Sequence, residues 1–206
     1  MVNTEFYSNR YRPVEERPIY ALTEMIASKF PNIPIIPVTI MALLLNIVAA
    51  FEILKLNFLF AAILIFLSFI FDKLDGSLAR EKIKRGEVLD IGRGTFIDGF
   101  CDIIGITFVS YAVILITSQF LLLSPFVIAA PLLYWYVNAG IAAYLQVQPS
   151  SSQANVSILK QILSYSRSKE MIVQVITIGT GALGWYVVFH VLLFFYTIVL
   201  FIKKVK

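Results

Sequence analysis

Apolar residues recur along this chain in blocks of about 20, the length that crosses a bilayer as an α-helix. The blocks read as spans over residues 34–54, 58–78, 95–117, 120–146, 164–182 and 184–202. The third opens on acidic residues, and the last two form one apolar stretch from Met171 to Ile202. At a rise of about 1.5 Å per residue that stretch is too long for one span. Gly179, Gly181 and Gly184 therefore predict a turn within it, and the fifth helix has to begin in the polar 160s. Ahead of the blocks, residues 1–33 are polar and basic. There Ile19, Leu22, Met25, Ile26 and Phe30 fall near helical spacing, opposite Glu24 and Lys29, which predicts a helix lying along the membrane interface. The expected architecture is all-α: an interfacial N-terminal segment over 1–33, then a polytopic domain of six transmembrane helices over 34–206.

Composition supports this reading. The 206 residues are 59% hydrophobic and only 15% charged, against about 45–50% and about 25% in soluble domains. A soluble monomer of this length could not bury so much apolar surface, and disorder requires the opposite composition. The lone Cys101 excludes an internal disulfide framework or a zinc cluster, and the lone His190 excludes a multi-histidine site. Charge then sets the orientation. With six spans and a cytoplasmic N-terminus, every basic residue except Lys55 falls on the cytoplasmic side or at a helix end adjoining it, as the positive-inside rule requires. The expected location is the cell membrane, multi-pass, with both termini in the cytoplasm. The net charge of +4 fits an anionic leaflet, and no basic, aromatic-interleaved surface suggests a nucleic-acid partner.

The acids carry the chemistry. All the aspartates lie between positions 72 and 102: Asp72, Asp75, Asp90, Asp98 and Asp102. Asp72 and Asp75 are three residues apart, and Asp98 and Asp102 are four apart, so each pair shares a helical face. Two antiparallel helices would aim four carboxylates into one cavity near the cytoplasmic boundary. A charge within a bilayer costs at least ~2.5–3.5 kcal/mol, so something positive has to offset them: divalent cations, Arg80 or protons. Oxygen donors without histidine or thiolate favour a hard ion such as Mg²⁺, Mn²⁺ or Ca²⁺. Two such ions close together are a device for phosphoryl transfer. Gly76 would let a ligand approach the backbone, Ala79 keeps the next turn narrow, Arg80 offers a fork for phosphate oxygens, and Gly94 leaves a gap on the facing helix.

These residues resemble the signature of the CDP-alcohol phosphotransferase family, D-x2-D-G-x2-A-R followed after a gap by G-x3-D-x3-D. The first half matches Asp72, Asp75, Gly76, Ala79 and Arg80; the second matches Gly94, Asp98 and Asp102. The gap from Arg80 to Gly94 holds 13 residues, more than is usual in the family. A competing alignment begins at Gly86, puts Asp90 in the third position, and leaves Gly94 where the fourth aspartate belongs. The resemblance implies transfer of a substituted phosphate from a CDP-linked donor, most plausibly a CDP-lipid such as CDP-diacylglycerol, to the hydroxyl of a polar alcohol, with release of CMP in phospholipid biosynthesis. It implies two Mg²⁺ or Mn²⁺ ions on Asp72, Asp75, Asp98 and Asp102, with Asp102 also the general base. Asp75, Gly76, Ala79, Arg80 and Gly94 would line the nucleotide and diphosphate site. It also implies a homodimer among membrane lipids.

The acceptor is not legible. Arg93, Arg167 and Lys169 are candidates to hold an anionic one, and equally candidates for cytoplasmic anchors. The rival class is a cation or proton transporter using the aspartates as its ion site; it expects inverted repeats and mid-membrane acids, and the chain shows no repeat. His190 is expected in a packing or interface role, Cys101 to be inert and buried by the aspartates, and Asn46 and Asn138 to hydrogen-bond between helices without a chemical role.

Overall fold

The computed structural model describes residues 17–87, 91–133 and 167–205, and among them every regular element is a helix. We label these α1 (Arg17–Lys29), α2 (Ile35–Leu54), α3 (Phe58–Lys84), α4 (Ile91–Ile116), a 3₁₀ segment (Ser118–Leu123) running into α5 (124–133), α6 (Arg167–Gly179) and α7 (Leu183–Val205). Two stretches are long and apolar enough on their own to cross a bilayer, Ile35–Leu54 and Phe96–Ile116. In α3 the apolar run from Phe58 gives way after Phe71 to a charged end. That helix and α4 both reach past the expected limits of 78 and 95, because the acidic and basic residues between them stay helical. The expected fourth span, 120–146, lies only partly within the described residues. The described part of the expected fifth span runs from Arg167 to Gly179, and residues 164–166 lie outside the described residues.

Turn chemistry explains where the helices stop. Between α2 and α3 the chain reverses through Leu56 at φ 63°. The Glu52 carboxylate ties that turn by accepting 2.9 Å bonds from Lys55 Nζ and Asn57 Nδ2. Gly86 follows the end of α3 at φ 84°, a left-handed terminator that glycine adopts without cost. Gly181 at φ 71° makes the expected turn between α6 and α7.

The core mixes alanines, which let backbones approach, with larger apolar residues. Ala49, Ala50, Ile53, Ala61, Leu64, Val109, Val113, Ile178 and Tyr186 form its buried centre. Gly105 of α4 meets Asn46 of α2 so closely that an added Cβ would lie 2.7 Å from Asn46 Nδ2. Outward faces carry large apolar side chains such as Leu44, Leu59, Ile63, Tyr111, Leu192 and Val199, the kind of exposed apolar surface that marks a membrane or protein interaction.

The N-terminal helix differs from its expected placement in one respect. Thr23 and Ala27 are its buried residues. Ala27 joins a second cluster with Val38, Leu74 and Leu78, which docks α1 on the charged end of α3. Glu24, expected on the polar face, is turned toward Arg80 of α3 at 3.9 Å. Leu22, Met25 and Phe30 remain exposed. A small polar side chain can be buried here because Thr23 Oγ1 lies 2.9 Å from Ser77 Oγ.

Candidate active site

The charged end of α3 and the start of α4 bring the aspartates together. One carboxylate oxygen from each of Asp72, Asp98 and Asp102 lies within 4.8 Å of the others, all three half-buried. Asp75 is buried beside them, within electrostatic reach of Asp72 and Asp102. Its Oδ2 accepts a 2.6 Å hydrogen bond from Thr39 Oγ1 of α2, so the fourth carboxylate is aimed by a third helix. Two like charges 4.8 Å apart repel by roughly 3–4 kcal/mol at an effective dielectric constant of about 20. Lys73 Nζ sits 3.1 Å from Asp72 Oδ2 and 4.8 Å over the Phe69 ring, supplying one positive charge. A divalent cation could offset the remainder, since the donors are all hard oxygens within 4.8 Å of one another and leave negative charge uncompensated.

Asp98 is in the cluster, whereas Asp90 lies outside the described residues. Gly86, the glycine of the competing alignment, already has a reason to be glycine in its left-handed turn.

Glycine packing separates two groups. A Cβ built on Gly94 meets nothing within 4 Å, and one on Gly76 meets only Arg80 Nη1 at 3.5 Å. By contrast, Gly105 is pressed against Asn46, Gly179 against Ala62 at 3.2 Å, and Gly181 against Phe58 at 3.2 Å. Helix packing within the described chain thus accounts for the second group and not for Gly76 or Gly94. Ala79 is half-buried on the same turn as Arg80.

Arg80 was a candidate to offset the aspartates. Its Nη2 donates a 2.9 Å bond to Ser77 Oγ, its Nε lies 3.9 Å from Glu24 Oε1, and its guanidinium is 5.3 Å from the Tyr20 ring centroid. The α1 helix therefore helps to hold it. Thr39, Lys73 and Tyr20 were not singled out from the sequence, where nothing marks them, and Glu24 was read only as part of the polar face of the N-terminal helix.

Among the acceptor candidates, Arg93 and Arg167 are placed on helices and Lys169 is half-buried. On α6 the buried residues are Glu170, Met171, Gln174, Thr177 and Ile178. Lys169 shares its face with Val173 and with Ile176, which is 59% exposed. Cys101 is buried, as expected, and Asn46 packs closely on Gly105 of α4. Asn138 lies outside the described residues.

The family model for CDP-alcohol phosphatidyltransferase matches residues 31–203. No curated protein matches the chain.

Proposed function

The chain belongs to the CDP-alcohol phosphatidyltransferase family, and we propose that it transfers a phosphatidyl group from a CDP-lipid, CDP-diacylglycerol above all, to the hydroxyl of a small polar alcohol, releasing CMP in phospholipid biosynthesis. The observation that carries this reading is the convergence of Asp72, Asp98 and Asp102 within 4.8 Å at the level where two helices meet.

Asp72, Asp75, Asp98 and Asp102 would hold two Mg²⁺ or Mn²⁺ ions. When bound, such ions neutralise the carboxylates and the donor diphosphate and acidify a nearby hydroxyl. Asp102 accepts the proton of the acceptor hydroxyl, whose oxygen forms a new bond to the lipid-linked phosphorus. The bond from that phosphorus to the CMP oxygen breaks, and CMP leaves. Gly76, Ala79 and Gly94 keep the approach open for the nucleotide, and Arg80 pairs with phosphate oxygens. Arg93, Arg167 and Lys169 are the candidates to give the site a preference for an anionic acceptor such as a polyol phosphate. Six membrane spans with the site and both termini on the cytoplasmic side, and a homodimer, complete the proposal. The lipid tails of the donor then stay in the bilayer while its headgroup reaches the carboxylates.

Purified protein with Mg²⁺ or Mn²⁺ should release CMP from CDP-diacylglycerol when supplied with one of glycerol 3-phosphate, inositol, inositol phosphate, serine or a phosphatidyl alcohol. Asp75→Asn and Asp102→Asn should abolish it. Retained turnover in both variants would defeat the assignment.

A further inference from the structure

The arginine of the signature is held by a helix that lies ahead of the residues matched by the family model. That match begins at residue 31, and α1 ends at Lys29. Thr23 of α1 is 0% exposed and Ser77 of α3 is 2% exposed. Three contacts of 2.9 Å converge on Ser77 Oγ, from Thr23 Oγ1, the Lys73 carbonyl oxygen and Arg80 Nη2. A carbonyl only accepts and a guanidinium only donates. Ser77 thus gives its one hydrogen to Lys73 and takes one from Arg80. Thr23 fills the remaining lone pair, because its oxygen lies nearer to Ser77 than to the Tyr20 carbonyl oxygen at 3.2 Å. Every bonding position of the buried serine hydroxyl is then used.

These bonds decide where the fork of Arg80 lies. With Nη2 on Ser77, Nη1 turns back along α3, where it is the one group that a Cβ built on Gly76 would meet, at 3.5 Å. Gly76 directly follows Asp75 and is four residues beyond Asp72, so it shares a face with Asp72 one turn away. The guanidinium therefore covers the part of the helix that glycine leaves open beside the carboxylates. Its side chain stays 20% exposed, which leaves it within reach of a ligand. A long arginine loses rotamer freedom when it is ordered. A fork already anchored through one nitrogen loses less of it on meeting phosphate oxygens. The Glu24 carboxylate approaches Arg80 at 3.9 Å, beyond hydrogen-bond reach, so the hydroxyl chain supplies a direction that this ion pair does not.

We propose that Thr23 and Ser77 are positioning residues: their buried hydroxyl contact carries the docking of α1 through to Arg80 and sets its fork over Gly76 for a phosphate of the CDP-linked donor. This rests on the phosphotransfer reading above. The test uses the full chain in detergent with Mg²⁺ and an acceptor that supports turnover, titrating CDP-diacylglycerol. Thr23→Val keeps the shape and removes the hydroxyl. It should raise the donor KM about 3–10-fold, with kcat and the acceptor KM changed less than about twofold. Thr23→Ser should keep the wild-type donor KM. In an Arg80→Lys background Thr23→Val should add less than about twofold, since an ammonium has no plane to aim and effects that run through one group do not add. Ala27→Gly alters the same helix contact away from the hydroxyl chain. It should lower the melting temperature and leave the donor KM within about twofold of wild type. A normal donor KM in Thr23→Val, a raised one in Thr23→Ser, full additivity with Arg80→Lys, or a donor KM that follows the melting temperature in Ala27→Gly would each overturn the positioning role and leave the transfer reading intact. A wild type that releases no CMP with any acceptor overturns both.

Discussion

Thr39 Oγ1 donates a 2.6 Å hydrogen bond to Asp75 Oδ2, joining α2 to the carboxylate cluster. Both groups are buried. A hydroxyl that donates to one carboxylate oxygen fixes the plane of the group and leaves the second oxygen to face its neighbours. Partners of this kind are worth 10–100-fold in metal affinity or activity. Thr39→Val keeps the shape and removes the donor, and should raise the Mg²⁺ or Mn²⁺ concentration for half-maximal CMP release by about 10–100-fold. Thr39→Ser should stay near wild type. Equal metal dependence in Thr39→Val and wild type would show that the hydroxyl does not aim Asp75.

The third ligand position separates the two alignments by experiment. Asp98 shares the cluster with Asp72 and Asp102, so Asp98→Asn should lower CMP release by roughly 100-fold or more, in the range for removing a group that orients metal or proton transfer. Asp90→Asn should change it less than about threefold. Kinetics of the two purified variants at saturating Mn²⁺ decide between Gly94 and Gly86 as the start of the second half-motif.

Much of this site could be read in the chain, and its limits have a physical cause. The i, i+3 and i, i+4 spacing of the aspartates fixes which of them share a face whatever else the helix does, so their convergence was legible. The contacts of Thr39 with Asp75, Lys73 with Asp72, and Glu170 with His190 were not. The first and third join separate helices and depend on how each is rotated. Rotation leaves a clear trace in a helix with one polar side, and little in α2 or α4, which are apolar nearly all round. The N-terminal helix shows the reverse: its apolar stripe was visible, yet Thr23 is buried beside Ala27, because Ser77 supplies a partner.

The glycines predict opposite outcomes for one substitution. An added Cβ at Gly105 would lie 2.7 Å from Asn46 Nδ2 and 3.1 Å from its Cβ, so α2 and α4 have to separate. Gly105→Ala should cost about 1–3 kcal/mol, as overpacking does, visible as a lower melting temperature in detergent. Gly94→Ala projects into open space. It should melt like wild type but raise the KM for CDP-diacylglycerol by at least about 10-fold, since the methyl occupies the nucleotide approach. A normal donor KM in Gly94→Ala would remove that residue from the site.

Arg80 gives the last prediction. Its guanidinium is fixed on one side by Ser77 at 2.9 Å, with the Tyr20 ring 5.3 Å away. A planar fork held in this way can meet two phosphate oxygens at once; an ammonium in the same place offers one charge and no plane. Arg80→Lys should therefore raise the donor KM by about 10-fold or more although the charge is kept. Glu24 also approaches Arg80, but at 3.9 Å and with its side chain 37% exposed. Such a pair contributes at most about 1 kcal/mol, so Glu24→Gln should shift the donor KM by no more than about fivefold. Measuring CMP release against CDP-diacylglycerol concentration tests the order of the two effects. If Glu24→Gln were the more damaging change, the α1 helix and not the arginine fork would control donor binding.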